Sequence, residues 1–589
     1  MKIYKDDYKH FRECQKLTWF LNEKHYQLAK KLIEEKKILN FVELTNTKTS
    51  SKVDEPVTKI SDLEDLIASN QEFGQDIEDD DFYPGEMIAD GLETGKYAQR
   101  YFQQNYQSYN FETNPVIDQD IIFQNQKYQV FFEPRFQYQD CVTKCDILKR
   151  NGNDWDLIEV KAVTWVKEEH MWDLLYQYDI LTKCGLRITN VYIMYLNNNY
   201  LLQEKIDLMA LFIANGSTWQ KSPTTKKSFS LYDSIQNELV EHNLAQEYQK
   251  ISEILAISEP NKVYDFLTNK YCHEDQKQFC FHIFDYFDPF NTIFQLYRLR
   301  KTKKSLWFYQ EDLLSLQDKR LLPFIVDNKL HYRQYQVANF GEQVIDLSAL
   351  TALQDELNNY QYPVYMYDFE TMKSAIPKFN HTKPYQQIVF QYSVHVLLNK
   401  DFDFKTNANI KHYQFLADGL EDPRIELVKN LVHDLTRIHG LGTYVAYNKS
   451  FEKGILKNLM FEFKEYFHDL KAISHLTIDL QDFFKGFKVY KSDFAGSLSI
   501  KKTLPAFAPD FSYQDLAIRK GDMASEVFRR RVENNISLQN WKSNFYQNML
   551  NYCTRDTLAM VILFWHIKRL VEAETKRRFK ESSLETASW

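Results

Sequence analysis

The chain lacks any long apolar run. Its longest clear stretch, Ala559 to Trp565, is ended by His566. That falls far short of the roughly 20 residues a membrane span needs, so no membrane is expected among its partners. The start, Met1-Lys2-Ile3-Tyr4-Lys5-Asp6-Asp7, has no apolar signal-peptide core. Cysteine is sparse: 7 thiols, an odd number, are scattered over 589 residues. This excludes a disulfide scaffold and fits reduced thiols in a cytoplasm. Glycine and proline are also few, at 15 and 14, which argues against a loop-rich all-β chain.

What is present is a globular composition, 44% hydrophobic and 15% aromatic. The 38 Tyr and 43 Phe are read as core packing before any base-stacking role. A chain of 589 residues exceeds one core, so about three domains are expected. The formal charge of −8 argues against nucleic acid until its distribution is examined. Residues 51–87 hold 12 Asp/Glu against Lys52 and Lys59, a net −10, which leaves +2 on the rest (−8 less −10). Global charge therefore does not exclude nucleic acid. Residues 40–85, polar and acidic, read as an insertion or arm.

Tyr8, Phe11, Leu17, Phe20 and Leu21 recur at helical spacing, so residues 5–36 are expected to be helical, and 86–108 likewise. Strands are expected at 120–123, 128–132, 142–148 and 156–163, with an Asn151-Gly152 turn before the last. A helix over about 167–184 and a strand over 190–196 follow. Residues 200–300 read as mostly helical, and 303–356 as a small helical connector. Beyond it come strands near 363–369 and 388–397, helix 423–438, strand 443–447, helix 450–466 and a long helix near 543–576. No internal repeat is evident.

The most informative stretch is Tyr367-Asp368-Phe369-Glu370-Thr371, at the end of an apolar run. On a strand, residues i and i+2 share a face, so Asp368 and Glu370 project together and Phe369 points into packing. Adjacent carboxylates repel unless a cation lies between them, and a hard divalent ion such as Mg²⁺ or Mn²⁺ suits oxygen ligands. Tyr447-Asn448-Lys449-Ser450-Phe451-Glu452 brings a third carboxylate to a strand-to-helix corner. In Tyr552-Cys553-Thr554-Arg555-Asp556, the i and i+4 spacing puts Tyr552 and Asp556 on one helix face. Three or four carboxylates and a water-positioning Tyr suffice for two-metal phosphodiester hydrolysis. Lys501 and Lys502 are candidates for phosphate contact, with a solvated face as the plainer reading. Asp479 is a spare carboxylate at another strand end.

Over about residues 360–575 this pattern resembles the DEDD exonuclease superfamily, which has a ribonuclease-H-like fold and includes DnaQ-type proofreading enzymes. The carriers are Asp368-x-Glu370, Asn448-x-x-Phe451-Glu452 and Tyr552-x-x-x-Asp556. Glu452 departs from the usual Asp, and Asp479 is the alternative ligand. More closely, the segment resembles a bacterial domain of unknown function that opens on Asp-Phe-Glu-Thr. Ala375-Ile376-Pro377, Pro384-Tyr385-Gln386, Phe390-Gln391-Tyr392-Ser393, Asp422-Pro423-Arg424 and Asp556-Thr557-Leu558-Ala559-Met560 carry that likeness. The resemblance implies a 3′–5′ exonuclease, with Asp368, Glu370, Glu452 and Asp556 as metal ligands and Tyr552 positioning water.

The amino-terminal hairpin carries a second chemistry. Asp146 is placed on its first strand, with Glu159 and Lys161 on one face of its second. Glu133 offers another carboxylate, and the next helix offers Asp173, Tyr176 and Gln177. This resembles the PD-(D/E)XK nucleases, in particular the RecB-like branch with the CRISPR-associated exonucleases, over about residues 1–300. The resemblance implies Mg²⁺ on Asp146 and Glu159, with Lys161 orienting water and stabilising charge, and Gln177 meeting nucleic acid. Leu181 stands where the branch's helix motif has Tyr. Many relatives hold an iron–sulfur cluster. Cys14, Cys272 and Cys280 echo three of its ligands, His273 or His282 would be an unusual fourth, and buried thiols are expected instead of a cluster.

Arg298, Arg300, Lys301, Lys303 and Lys304 form a basic run between the two motif sets, and Arg529-Arg530-Arg531 and Lys576-Arg577-Arg578 form others. These read as solvated faces or as tracks for phosphate. The expected architecture is α/β: a PD-(D/E)XK restriction-endonuclease-like domain over 1–300, a helical connector over 301–358 and a ribonuclease-H-like DEDD exonuclease domain over 359–589. The expected function is metal-dependent hydrolysis of DNA or RNA in the cytoplasm. The alternative is a nucleic-acid-binding or scaffolding protein with one or both sites inactive.

Overall fold

A computed structural model describes residues 2–22 apart from Cys14 and Leu21, then His25, 84–112, Ile122, 126–258, Leu296, Tyr297, 316–341, 344–513 and 515–587. Several sequence expectations lie outside the described residues. They are the acidic insertion up to residue 83, the strand at 120–123 apart from Ile122, and the candidate cluster ligands Cys14, Cys272, His273, Cys280 and His282. The run Arg298, Arg300, Lys301, Lys303 and Lys304 also lies outside them.

The molecule is mixed α/β. Helices α1 (Lys5–Glu13) and Gln15–Phe20 open the chain, and α2 (Pro84–Gln103) follows. Six strands form the first sheet: β1 (Ser108–Asn110), β2 (Val130–Phe132), β3 (Ile147–Asn151), β4 (Asp154–Lys161), β5 (Ile188–Leu196) and β6 (Phe212–Gly216), side by side in that order. β2, β3 and β4 are antiparallel neighbours, while β4 and β5 run parallel. Helix α3 (Glu168–Lys183) makes the crossover from β4 to β5 that a parallel pair needs.

The expected turn between β3 and β4 sits one residue later than the sequence suggested. Asn151 pairs with Asp154, so Gly152 and Asn153 make the turn, and Gly152 takes φ +62° there. The single strand expected over 142–148 is two. Cys141–Lys144 pairs with Arg135–Tyr138 in a separate hairpin, and β3 begins only at Ile147. Between them Cys145 N–H donates to Pro134 O and Glu133 N–H to Asp146 O, which pulls the chain out of one strand and into the next. Asp146 therefore precedes β3 rather than lying on it. The region after residue 200 is less helical than expected: β6 and the pair Thr218–Gln220 with Ser228–Ser230 are strands.

The second sheet has five strands: β7 (Val364–Met372), β8 (Ile388–Leu397), β9 (Ile410–Leu416), β10 (Thr443–Ala446) and β11 (Thr477–Asp479), in the order β9-β8-β7-β10-β11. β8 is antiparallel to both of its neighbours, β7 and β9, and β10 and β11 continue from β7 in parallel. β8 is buried along its whole length because helices cover both faces of the sheet. On one face Tyr365, Tyr367 and Phe369 pack with Leu427, Leu431, Ile455 and Leu459. On the other, Val364 and Met366 pack with Ala559 to Leu563 of the long closing helix. Helix α4 (Ser450–Glu462) follows β10, α5 (Gly521–Val532) lies further on, and α6 (Tyr546–Ala587) closes the chain.

β9 escaped the sequence reading. It is an edge strand, and its Lys411, His412 and Gln414 mask the apolar alternation. The connector's helices are not separate: Val337 and Leu353 belong to the same core as Val364 and Met366. The triplet Arg529-Arg530-Arg531 is no surface patch. All three side chains are buried, Arg529 and Arg530 on Glu526 and Arg531 on the carbonyls of Asp418 and Ile536. No helix among the described residues is long and apolar enough to cross a membrane.

Candidate functional site

Period-two alternation along β7 decides what its carboxylates face. Odd residues enter the core under α4, while Val364 and Met366 enter the core under α6. Asp368 and Glu370 follow the even set and so meet α6, the helix that carries Tyr552, Cys553 and Asp556. One ligand atom each from Asp368, Glu370 and Cys553 lies within 4.8 Å of the others. Cys553 escaped the sequence reading because a thiol between two motif residues carries no periodic signal.

Glu452 enters from the first turn of α4. Asn448, at φ +63°, turns the chain out of β10 into that helix, a conformation Asn tolerates better than most residues. Glu452 is buried and shares a hydrogen bond with Asp368. No N–H or O–H donor among the described residues reaches its buried Oε2. Asp479, the alternative to Glu452, is engaged elsewhere. Its Oδ1 accepts from Asn448 N at 2.9 Å and Gln481 N at 3.0 Å, and its Oδ2 from Lys485 Nζ at 2.8 Å. Asp556 accepts hydrogen bonds from Tyr552 and from Tyr513, a residue no motif flagged.

The electrostatics follow from burial and crowding. Burial, then the charge of Asp556, pushes Asp368 up to about 7. Burial raises Asp556 to about 6, against the pull of the two tyrosine hydroxyls and the charge of Lys501. Burial and Asp368 raise Glu452 well above the usual carboxylate range. Burial and the surrounding carboxylates also raise Cys553 and Tyr552, so both keep their protons at neutral pH. Lys501 and Lys502 begin the helix Ile500–Phe507, Lys501 exposed and Lys502 half-buried. Gly521, first residue of α5, closes the site: a Cβ there would stand 3.6 Å from Glu370 Oε2 and 3.7 Å from Tyr552 OH.

A second cluster forms where β4 meets α3. Glu159 and Asp173 are buried, and Lys161 Nζ lies 2.8 Å from Glu159 Oε1 and 2.5 Å from Asp173 Oδ2. Gln177 is buried and donates to Glu159 Oε2 at 2.7 Å, so it holds the carboxylate in place. Asp146 accepts from Val160 N at 2.7 Å, and Glu133 pairs with Lys144 at 2.7 Å. Two further cations come from α1: Lys5 Nζ is 2.7 Å from Glu159 Oε1, and Lys9 Nζ is 3.7 Å from Asp173 Oδ1. Neither was singled out in the sequence, since only tertiary packing brings α1 here.

Burial raises Glu159, but Lys161 and Lys5 more than offset it, bringing it down to about 2. Lys161 and Lys5 likewise overcome burial and pull Asp173 down. Asp146 goes the other way, up to about 7, from burial and from the charge of Glu159.

Residues 365–499 match a family model described as Domain of unknown function (DUF2779). The chain is similar to an uncharacterized protein of Mycoplasma genitalium, 24% identical over 77% of this chain and 80% of that protein. An uncharacterized protein of Ureaplasma parvum is 23% identical over 82% of this chain and 86% of its own length. A Mycoplasma pneumoniae homologue of the first is 23% identical over 76% and 80%. No solved structure matches the chain.

Proposed function

We propose that the chain is a divalent-metal-dependent nuclease acting on DNA or RNA, with a 3′–5′ exonuclease centre in the ribonuclease-H-like carboxyl-terminal domain. The observation that carries this is the sheet order β9-β8-β7-β10-β11 with acidic residues gathered at one place on it. Asp368 and Glu370 come from the central first strand, Glu452 from the helix after the fourth, and Asp556 from the last helix. That is the arrangement the DEDD resemblance implies. The donor set is mainly carboxylate oxygen, and the orphaned Glu452 Oε2 suits a hard cation. Asp368, Glu370, Glu452 and Asp556 would hold the ions. When bound, these supply an activated water and offset charge on the leaving oxygen. Tyr552 keeps its proton, hydrogen-bonds Asp556 and lies beside Glu370, which suits it to orient that water.

The run α2, β2, β3, β4, α3 and β5, with β1 inserted after α2 and the hairpin 135–144 after β2, supports reading the amino-terminal domain as PD-(D/E)XK-like, with Asp146, Glu159 and Lys161 as its centre. One observation favours a second reading for that centre, in which it binds nucleic acid without cutting. Ammonium groups already neutralise Glu159, Asp173 and Glu133.

End-labelled single- and double-stranded DNA and RNA, incubated with Mn²⁺ or Mg²⁺, test both centres. Asp368→Ala is expected to lower stepwise trimming about a hundredfold or more, the scale of losing a transition-state contact. Lys161→Ala separates the two readings of the amino-terminal centre. Absence of cleavage on every substrate by the unaltered chain would overturn the proposal.

A further inference from the structure

Two ammonium groups converge on a single oxygen at the amino-terminal centre. Lys5 Nζ and Lys161 Nζ lie 2.7 and 2.8 Å from Glu159 Oε1. One cation neutralises one carboxylate, and two cations so close repel each other. Lys161 divides its charge between Glu159 and Asp173, whose Oδ2 lies 2.5 Å from it, and Lys5 is the second cation on this pair of buried carboxylates. Exposure indicates what the second is for. The Glu159 side chain is 1% exposed, whereas Lys5 and Lys161 keep 25% and 20%. Both lysine side chains are therefore partly exposed beside a buried carboxylate.

Lys5 is held there by firm packing rather than by a loose arm. Ile3 is buried, its N–H donates to Asp140 O, and its carbonyl accepts from Val142 N and from the Tyr176 hydroxyl. One turn on, Tyr8 is buried and stacks on Tyr176 with ring centroids 5.6 Å apart. Arg12, at the end of the same helix, pairs with Glu238 and Glu247. The helix thus presents Lys5 at a fixed place beside Lys161. Gln177 is fixed on the far oxygen of Glu159, and its own Oε1 is buried without a partner.

We propose that Lys5 is a substrate-binding residue of the amino-terminal centre, delivered by the first helix, where its ammonium and that of Lys161 together grip a phosphodiester of a single nucleic-acid strand. The inference rests on the nuclease reading of that centre. Two fixed ammonium groups on partly exposed lysine side chains, beside a buried carboxylate, suit a phosphate oxygen. Glu159 then serves first to hold both lysines in register. Asp146, with no ammonium within ion-pair distance among the described residues, is left as the carboxylate most open to a divalent ion.

The test uses the full chain carrying Asp368→Asn, which silences the carboxyl-terminal centre. Binding of fluorescein-labelled single-stranded DNA and RNA 12-mers is followed by anisotropy across a KCl series, together with thermal unfolding and Mn²⁺-dependent cleavage. Lys5→Gln is expected to weaken binding about tenfold and to lower the salt slope by about one, the loss of one phosphate contact. Lys5→Arg is expected to restore both. Lys5→Met serves where Lys5→Gln fails to fold. Unchanged affinity and slope in a folded Lys5 variant would make Lys5 a structural ion-pair partner only. If Lys161→Gln abolishes cleavage in that same case, the nuclease reading stands and this inference alone falls. Cleavage that survives Lys161→Gln, or a chain that binds neither oligonucleotide, sinks both.

Discussion

Asp368 and Glu452 show how a crowd of carboxylates stores protons. Burial and Asp556 hold Asp368 at about 7 against an ordinary value near 3.8. A raised carboxyl contributes stability that is complete below the ordinary value and is lost as pH rises through about 7. The metal-free centre is therefore least comfortable at alkaline pH, and under the proposed function a divalent cation would take the place of the proton there. At pH 6, Mn²⁺ binding at this centre is expected to release about one proton from Asp368, and by pH 8 almost none. Calorimetry in buffers of differing ionisation enthalpy reads that number directly. Asp368→Asn should remove the Asp368 share, leaving those of Asp556, held near 6, of the raised Glu452 and of Asp146, held near 7. Proton release that does not change between pH 6 and 8 would contradict the assignment. Most residues of this cluster were legible in the sequence, because periods of two and of 3.6 place Asp368 with Glu370 and Tyr552 with Asp556. Tyr513, Cys553 and Lys5 were not, since each arrives by tertiary approach. The arginine triplet was misread as surface, although Glu526 and Glu533 stood within one helical turn as its partners.

Among the elements, β7 does most to place the candidate centre, and its parallel partner β10 approaches it through a glycine. A Cβ on Gly442 would lie 1.9 Å from Pro363 O, an overlap no side-chain motion relieves. The next residue fixes the register: Thr443 N–H donates to Gln361 O at 2.9 Å and Pro363 O at 3.1 Å, and Thr443 Oγ1 accepts from Gln361 N at 2.8 Å. Gly442→Ala must push the strands apart and is expected to cost about 3 kcal/mol or more in urea unfolding. Gly454 offers the opposite case on α4, two residues from Glu452. A Cβ there meets nothing within 4 Å, so Gly454→Ala should gain about 0.5–1 kcal/mol of helix stability. Equal effects from the two substitutions would mean that β10 does not seat on β7 as described. At this scale the sequence announced the buried strands and the long helix, whose patterns are regular. It hid β9 at a polar edge and fused two strands that Glu133 and Pro134 separate through backbone bonds.

Across the whole molecule, one segment joins the two candidate centres. It leaves β7 at Met372, buries Ala375 and Ile376 among Phe132, Ile147, Ile158 and Met194 of the first sheet, and ends where Tyr385 OH donates to Ala162 O, next to Lys161. Charged groups lock it in place. Asp90 of α2 accepts from Ala375 N at 3.0 Å and lies 3.9 Å from Arg529 Nη1. Lys378 reaches Glu93 at 2.8 Å and Glu533 at 3.0 Å, and Glu526 holds Arg529 and Arg530 at 2.8 and 2.6 Å. Burial raises Asp90 to about 6, against the Ala375 N–H and the charge of Arg529, so this carboxylate depends on its partners. The members differ in what water can rescue. Arg529, Glu526 and Asp90 are almost fully buried, whereas Glu93 and Glu533 keep 27% and 23% of their side chains exposed. Arg529→Leu leaves buried carboxylates under-compensated and is expected to cost about 3–5 kcal/mol. Lys378→Met frees two carboxylates that water can reach, and should cost about 1 kcal/mol or less. Urea unfolding of both variants measures the difference. A Lys378→Met loss as large as that of Arg529→Leu would mean that the exposed pairs, and not the buried arginine, hold the two sheets together.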